Sequence, residues 1–114
     1  MSTPEDSIIA LDLLDQTPVA VTALDRQGDI VFYNQYAAGI VDRKPEYLGR
    51  DIRGFHKPES NAKVESILNA YAQGGREEYN WRLKRGDKEF QIRVRPWLQD
   101  GRWMGLVHAA MLLG

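Results

Sequence analysis

Hydrophobic positions along this chain follow two different periods, and the switches between them mark its elements. After a polar stretch at residues 1–6, Ile8, Ile9, Leu11, Leu13 and Leu14 crowd one short segment. Ile8/Leu11 and Ile9/Leu13 have the three- and four-residue spacing of a helix. Asp6 or Ser7 is suited to cap it, and Thr17-Pro18 ends it, because the residue before a proline avoids the helical region. Val19 to Leu24 is rich in β-branched residues and reads as a strand. Asp25-Arg26-Gln27-Gly28 is a turn, and Ile30 to Tyr33 completes a hairpin. Asn34 is placed to cap a short helix that carries Tyr36, Ala37, Ala38, Ile40 and Val41, and Lys44-Pro45-Glu46 breaks it.

A loop at residues 53–59 leads to Ser60, which is expected to cap the next helix. Val64, Ile67, Leu68 and Tyr71 then repeat at i, i+3, i+4 and i+7, the strongest helical signal in the chain. Gly74-Gly75 ends that helix. The period now changes to two. Tyr79, Trp81 and Leu83 alternate with polar residues, as do Phe90, Ile92 and Val94, with Arg85-Gly86-Asp87 as the turn between them. The last segment, Trp103 to Leu112, is apolar on both faces except for His108, so both faces should be covered. The order is helix, then β-β-α-α-β-β-β. This predicts an α+β fold: a five-stranded antiparallel sheet, helices on one face, and a concavity between them. Residues 1–17 form an N-terminal tail and helix, and 18–114 the domain proper.

Composition narrows the chemistry. The 114 residues hold 15 Lys and Arg against 16 Asp and Glu, so no global basic field favours nucleic acid or an anionic membrane. Cysteine is absent. Disulfides, thiolate metal sites, a Cys nucleophile and a cysteinyl chromophore link are therefore excluded. No apolar run approaches the ~20 residues of a membrane span, and the polar, acidic start is unlike a signal peptide. A cytoplasmic protein is expected. No nucleophile elbow, P-loop, dinucleotide glycine motif or paired-His metal motif is present, so an enzyme is not expected.

The ordered set of segments resembles a PAS domain over about residues 10–110. "LDRQGDIVFYNQYAAGIV" is similar to the family's opening hairpin, Asn and short helix. "PEYLGRDI" is similar to its glycine-containing turn, and "EYNWRLKRGDKEFQIRVRPWLQDGRWMGLV" to its last three strands. The end, "HAAMLLG", departs from the family's frequent Asp-Ile-Thr link. The resemblance implies a PAS fold and a sensory, signal-transducing module that works through a bound ligand or through dimerisation.

A narrower likeness lies in "GRDIRGFHKPESNAKVESIL". It resembles a PAS subset with a His-x-Pro-x-Ser segment before this helix, in which the histidine of carbon-monoxide-responsive haem regulators is an axial iron ligand. That likeness implies haem b as cofactor, His56 as the metal ligand, and a diatomic gas or redox state as the signal. The regulators' second ligand, a Met on the following strand, has no counterpart in "EEYNWRL".

For the cofactor pocket the expected residues are Phe55, Val64, Ile67, Leu68, Trp81, Phe90 and Ile92 beside His56. The same aromatic and aliphatic set is also ordinary core. Gly105 and Ala109 are small residues that would leave volume for a flat ligand or pack against the leading helix. Arg82, Lys84, Arg85, Lys88, Arg93 and Arg95 cluster on one hairpin, as an anion site or as a solvated face among acidic neighbours. His108 reads as a hydrogen-bonded residue near the sheet surface, or as a distal ligand or polar group of the pocket. The leading helix carries more apolar residues than one stripe can bury, which predicts a homodimer through that helix and the sheet face. Cofactor-free dimerisation and another small-molecule ligand are the alternatives to haem.

Overall fold

A computed structural model of the protein describes residues 4–41, 43–55 and 58–113. Helix α1, Pro4–Gln16, precedes strands β1, Ala20–Asp25, and β2, Ile30–Tyr33. Helix α2, Gln35–Ile40, and single 3₁₀ turns at Pro45–Tyr47 and Ile52–Gly54 lead to α3, Pro58–Ala72. Strands β3, Tyr79–Arg85, β4, Lys88–Gln99, and β5, Arg102–Leu112, complete the chain. All five strands join one antiparallel sheet in the order β2-β1-β5-β4-β3. The α+β architecture follows the sequence pattern. Two helices begin earlier than expected: α1 at Pro4, ahead of Asp6 and Ser7, and α3 at Pro58, ahead of Ser60. Proline's fixed φ and missing N–H suit the first helical position, which the loop reading of these segments overlooked.

Alternation assigns the two faces of the sheet. Ala20, Thr22 and Leu24 of β1 are buried, as are Phe90, Ile92 and Val94 of β4 and Leu106 and Ala110 of β5. Val64, Ile67, Leu68 and Tyr71, the apolar stripe of α3, are buried against them. The reverse face is covered less than the apolar character of β5 predicts. Val107 and Ala109 are half-buried, and Met111 is 44% exposed.

Gly105 has a different role from the one expected. Its φ is +155°, and a Cβ there would collide with the Leu24 carbonyl of the paired strand. Glycine is required for strand approach, and the volume it saves lies against β1 backbone. Ala109 is cross-strand from Val21 and Arg93 and does not line the cavity described below.

One buried polar side chain ties the first half of the chain together. Asn34 is fully buried. Its Oδ1 accepts from the Val21 and Ala37 amides, both at 3.0 Å. Its Nδ2 donates to the Leu14 carbonyl at 2.6 Å and the Val19 carbonyl at 2.9 Å. The residue caps α2 as the sequence indicates, and it also fastens the end of α1 to β1. Asp15 adds a second tie, accepting from the Gln35 amide at 2.9 Å.

Candidate functional site

The space between α2, α3 and the buried sheet face is not filled by side chains. It forms a cavity of about 280 Å³, near the lower end of the ~300–1,000 Å³ range of small-molecule pockets. Strand alternation and the α3 stripe build one wall: Val64, Ile67, Trp81, Phe90 and Ile92 all line it. Phe55 closes that side. Its ring stacks on Tyr47 with centroids 3.8 Å apart, and the Arg50 guanidinium lies 5.3 Å from its centroid on the neighbouring turn. This stack fixes the loop before α3 against the cavity mouth.

Six of the eight residues expected at a cofactor pocket therefore line one space. Leu68 is buried but turns to the first hairpin, where a Cβ on Gly28 would meet its Cδ1 at 3.5 Å. The i+4 step from Val64 places it on the β1–β2 side of the helix stripe. His56 lies outside the described residues, as does Lys57.

One end of the cavity carries polar side chains among the apolar residues Leu24, Ile40 and Val41. Thr22 and Arg43 are 1% and 7% exposed, and the Arg43 Nε donates to the Thr22 Oγ1 at 3.0 Å. His108 is the cross-strand partner of Thr22 and lines the same cavity. It thus occupies the pocket position among its expected readings. Neither Arg43 nor Thr22 emerges from the sequence pattern. Arg43 follows a short helix and resembles a turn residue, and Thr22 looks like an ordinary strand threonine. Period-two phasing with Leu24 was the available signal for Thr22, since it puts both on the buried face.

The basic hairpin splits in two. Arg93 grips Glu78 through Nε and Nη2, each at 3.0 Å, and Arg82 meets Glu89 at 3.4 Å, both pairs exposed on the reverse face. Arg85 and Lys88, partners at the end of the ladder, fall on the inner face and line the rim of the cavity. Arg53, in the turn before α3, is already committed. It donates to Asp51 at 2.9 and 2.8 Å and to the Gln27 carbonyl at 2.7 Å, and these bonds hold the Asp51 carboxyl below its ordinary value.

A family model described as PAS domain matches residues 11–111. The chain belongs to the PAS domain family. This PAS domain is similar to solved structures at low sequence identity. The C-terminal domain of a Streptococcus mutans protein is 20% identical, with a TM-score of 0.76, over 91% of this chain and 82% of that one. The PAS domain of an HTR-like protein from Haloarcula marismortui is 19% identical, with a TM-score of 0.70, over 96% and 93%. A sensory box sensor histidine kinase from Vibrio cholerae is 20% identical, with a TM-score of 0.64, over 96% and 94%. No curated protein sequence matches the chain. PAS domains are sensory modules and generally not catalytic. Among the described residues, no helix is long and apolar enough to cross a membrane.

Proposed function

We propose that this PAS domain is a sensory module of a signalling protein, and that its input is a small molecule held between α3 and the sheet. The observation that carries this reading is the cavity of about 280 Å³ on the buried face, with a largely apolar lining that a few polar side chains interrupt. A core packed for stability alone leaves few voids larger than a water molecule. The output side is α1. Ile40 and Val41, at the end of α2, line the cavity, and Asn34 at its start bonds directly to the Leu14 carbonyl of α1. A ligand that shifts α2 thus acts on the α1 junction through the Asn34 side chain and the Asp15–Gln35 tie.

The test uses naphthamide, a neutral aromatic probe of suitable size. It is expected to raise the melting temperature of the wild-type protein. Ala110 is 1% exposed and lines the cavity, so Ala110→Leu should fill it and abolish the rise. A wild type that naphthamide leaves unchanged, or an Ala110→Leu variant that responds equally, overturns the reading.

Haem b bound through His56 is a second reading. Its support is the flat apolar wall of Trp81, Phe90 and Ile92 together with Arg85 and Lys88 at the rim, where propionates would be neutralised. The wall chemistry suits haem, whereas the volume of about 280 Å³ suits a smaller group. Bound haem would supply an iron that takes a diatomic gas. Titration with haemin separates the readings: a Soret band lost in His56→Ala supports haem, and no band in the wild type removes it.

A further inference from the structure

We propose that the ligand of this cavity is an anionic amphiphile, with its head at Arg85 and Lys88 on the rim and its apolar body along Leu83, Phe90, Trp81 and Ile92. The proposal rests on the small-molecule reading above and specifies the ligand. Its basis is the order of side-chain pairs along the inner face of the β3–β4 ladder. Trp81 pairs with Ile92, Leu83 with Phe90, and Arg85 with Lys88, and all six line the cavity. Each step of two residues advances ~6.6–6.8 Å along a strand, so the ladder presents about 13 Å of wall that is apolar inside and cationic at its end. Lys88 is exposed, so the cavity opens to solvent at the cationic end.

Like charges directly opposite each other on a ladder are destabilising. On the reverse face of the same hairpin the arginines are matched: Arg82 meets Glu89 at 3.4 Å and Arg93 meets Glu78 at 3.0 Å. No ion pair among the described residues includes Arg85 or Lys88, and Asp87 in the turn between them is exposed. Protection of a sheet edge accounts for a charge on β3, the edge strand, and not for Lys88 on β4, which lies between β3 and β5. An anionic head answers both cations at once, and the Arg85 guanidinium offers it paired, charge-assisted hydrogen bonds. At the exposed rim the head keeps part of its hydration, and the apolar chain alone enters the chamber.

Octanoate and octan-1-ol share an apolar chain and differ in the charge of the head. Titration calorimetry on the wild-type protein at low salt is expected to give octanoate at least about fivefold tighter binding. Added salt should shrink that preference, because charges at the rim are screened. Both chains should compete with naphthamide. Arg85→Gln combined with Lys88→Gln should bring the two chains to within about twofold of each other and leave octan-1-ol affinity unchanged. Arg85 is half-buried and Lys88 exposed, so the double variant leaves the core intact. Arg82→Gln combined with Lys84→Gln removes the same charge from the reverse face of the same hairpin and should keep the preference. Equal affinity of octanoate and octan-1-ol in the wild type overturns the anionic assignment and leaves the small-molecule reading intact. So does binding of naphthamide alone, and so does a preference that survives in the Arg85/Lys88 variant or falls equally in the Arg82/Lys84 variant. Binding of neither naphthamide nor either chain overturns the assignment together with the reading it rests on.

Discussion

The two walls of the cavity are built in different ways. The α3–β3–β4 wall is made by period. Residues at helical spacing meet residues at strand spacing, and each is placed by its near neighbours in the chain. The α2–β1 side is tied together by single polar contacts between distant residues: Arg43 to Thr22, 21 positions apart, at the cavity, and Asn34 to Leu14, 20 apart, outside its lining. The first wall supplies volume and apolar surface. The second supplies charge, hydrogen-bonding direction and the link to α1. Coupling to α1 therefore concentrates in the side that depends on a few side chains, and shape in the wall that depends on many.

The largest expected effect separates the two walls directly. Asn34→Ala leaves the Leu14 and Val19 carbonyls and the Val21 amide to find new partners in a buried site. Each such loss costs ~1–3 kcal/mol, so the variant should lose at least about 3 kcal/mol in urea denaturation, more than the ~1 kcal/mol of a simple helix cap. Ile67→Ala in the apolar wall should lose about 2 kcal/mol, the low end for such a truncation, because its side chain already borders open space. If Ile67→Ala proves costlier than Asn34→Ala, the side tied by single polar contacts is not the more concentrated of the two.

The same contrast explains what was legible in the sequence. Val64, Ile67, Trp81, Phe90 and Ile92 were readable because periodicity reports which face a residue occupies, and the topology then brings those faces together. Asn34 was readable as a cap because capping is local, but its bonds to α1 and β1 were not, since they depend on how the chain returns. Arg43 was invisible for the same reason: its burial follows from Thr22 lying beneath it, which no local pattern encodes. Gly105 shows the converse error. A small residue in a large-residue strand suggested ligand space, whereas the Leu24 carbonyl occupies the position of its missing side chain.

A smaller effect tests how tightly the period-built side is sealed. Tyr71 is fully buried, and its hydroxyl donates to the Glu77 carbonyl at 2.7 Å. Burial, reinforced by Tyr79 and Glu78, pushes its phenol from 10.0 up to about 12. The folded state then holds this proton more tightly than the unfolded chain does. The contribution to stability is fully present below pH 10.0 and is lost as pH rises from there through about 12. Tyr71→Phe should cost about 1 kcal/mol at neutral pH and flatten the alkaline limb of the stability profile relative to wild type. An unchanged alkaline limb would mean that water reaches this side of α3.

The smallest effect on the fold is expected at α1, and there the informative measurement is mass rather than stability. Ile8, Ile9, Leu11 and Leu13 are 60%, 55%, 49% and 62% exposed, so replacing them removes little buried surface from one chain. Four exposed aliphatic residues on a 13-residue helix nevertheless form the kind of patch that a second surface covers. Met111 on β5 and Val31 on β2, each 44% exposed, extend the apolar surface of the domain. We propose that two copies of this PAS domain associate through α1 and that the Asn34 junction delivers the state of the cavity to that contact. Ile9→Asp combined with Leu13→Asp should change the urea midpoint little and reduce the light-scattering mass to that of one chain. In the wild type the midpoint should rise with protein concentration, because association stabilises the folded form by mass action, and in the variant it should not. A wild type already at the mass of one chain would confine α1 to contacts with other parts of the signalling protein. A variant that keeps the wild-type mass of two chains would move the interface to the reverse face of the sheet, where Arg93 and Arg82 hold their ion pairs beside Met111.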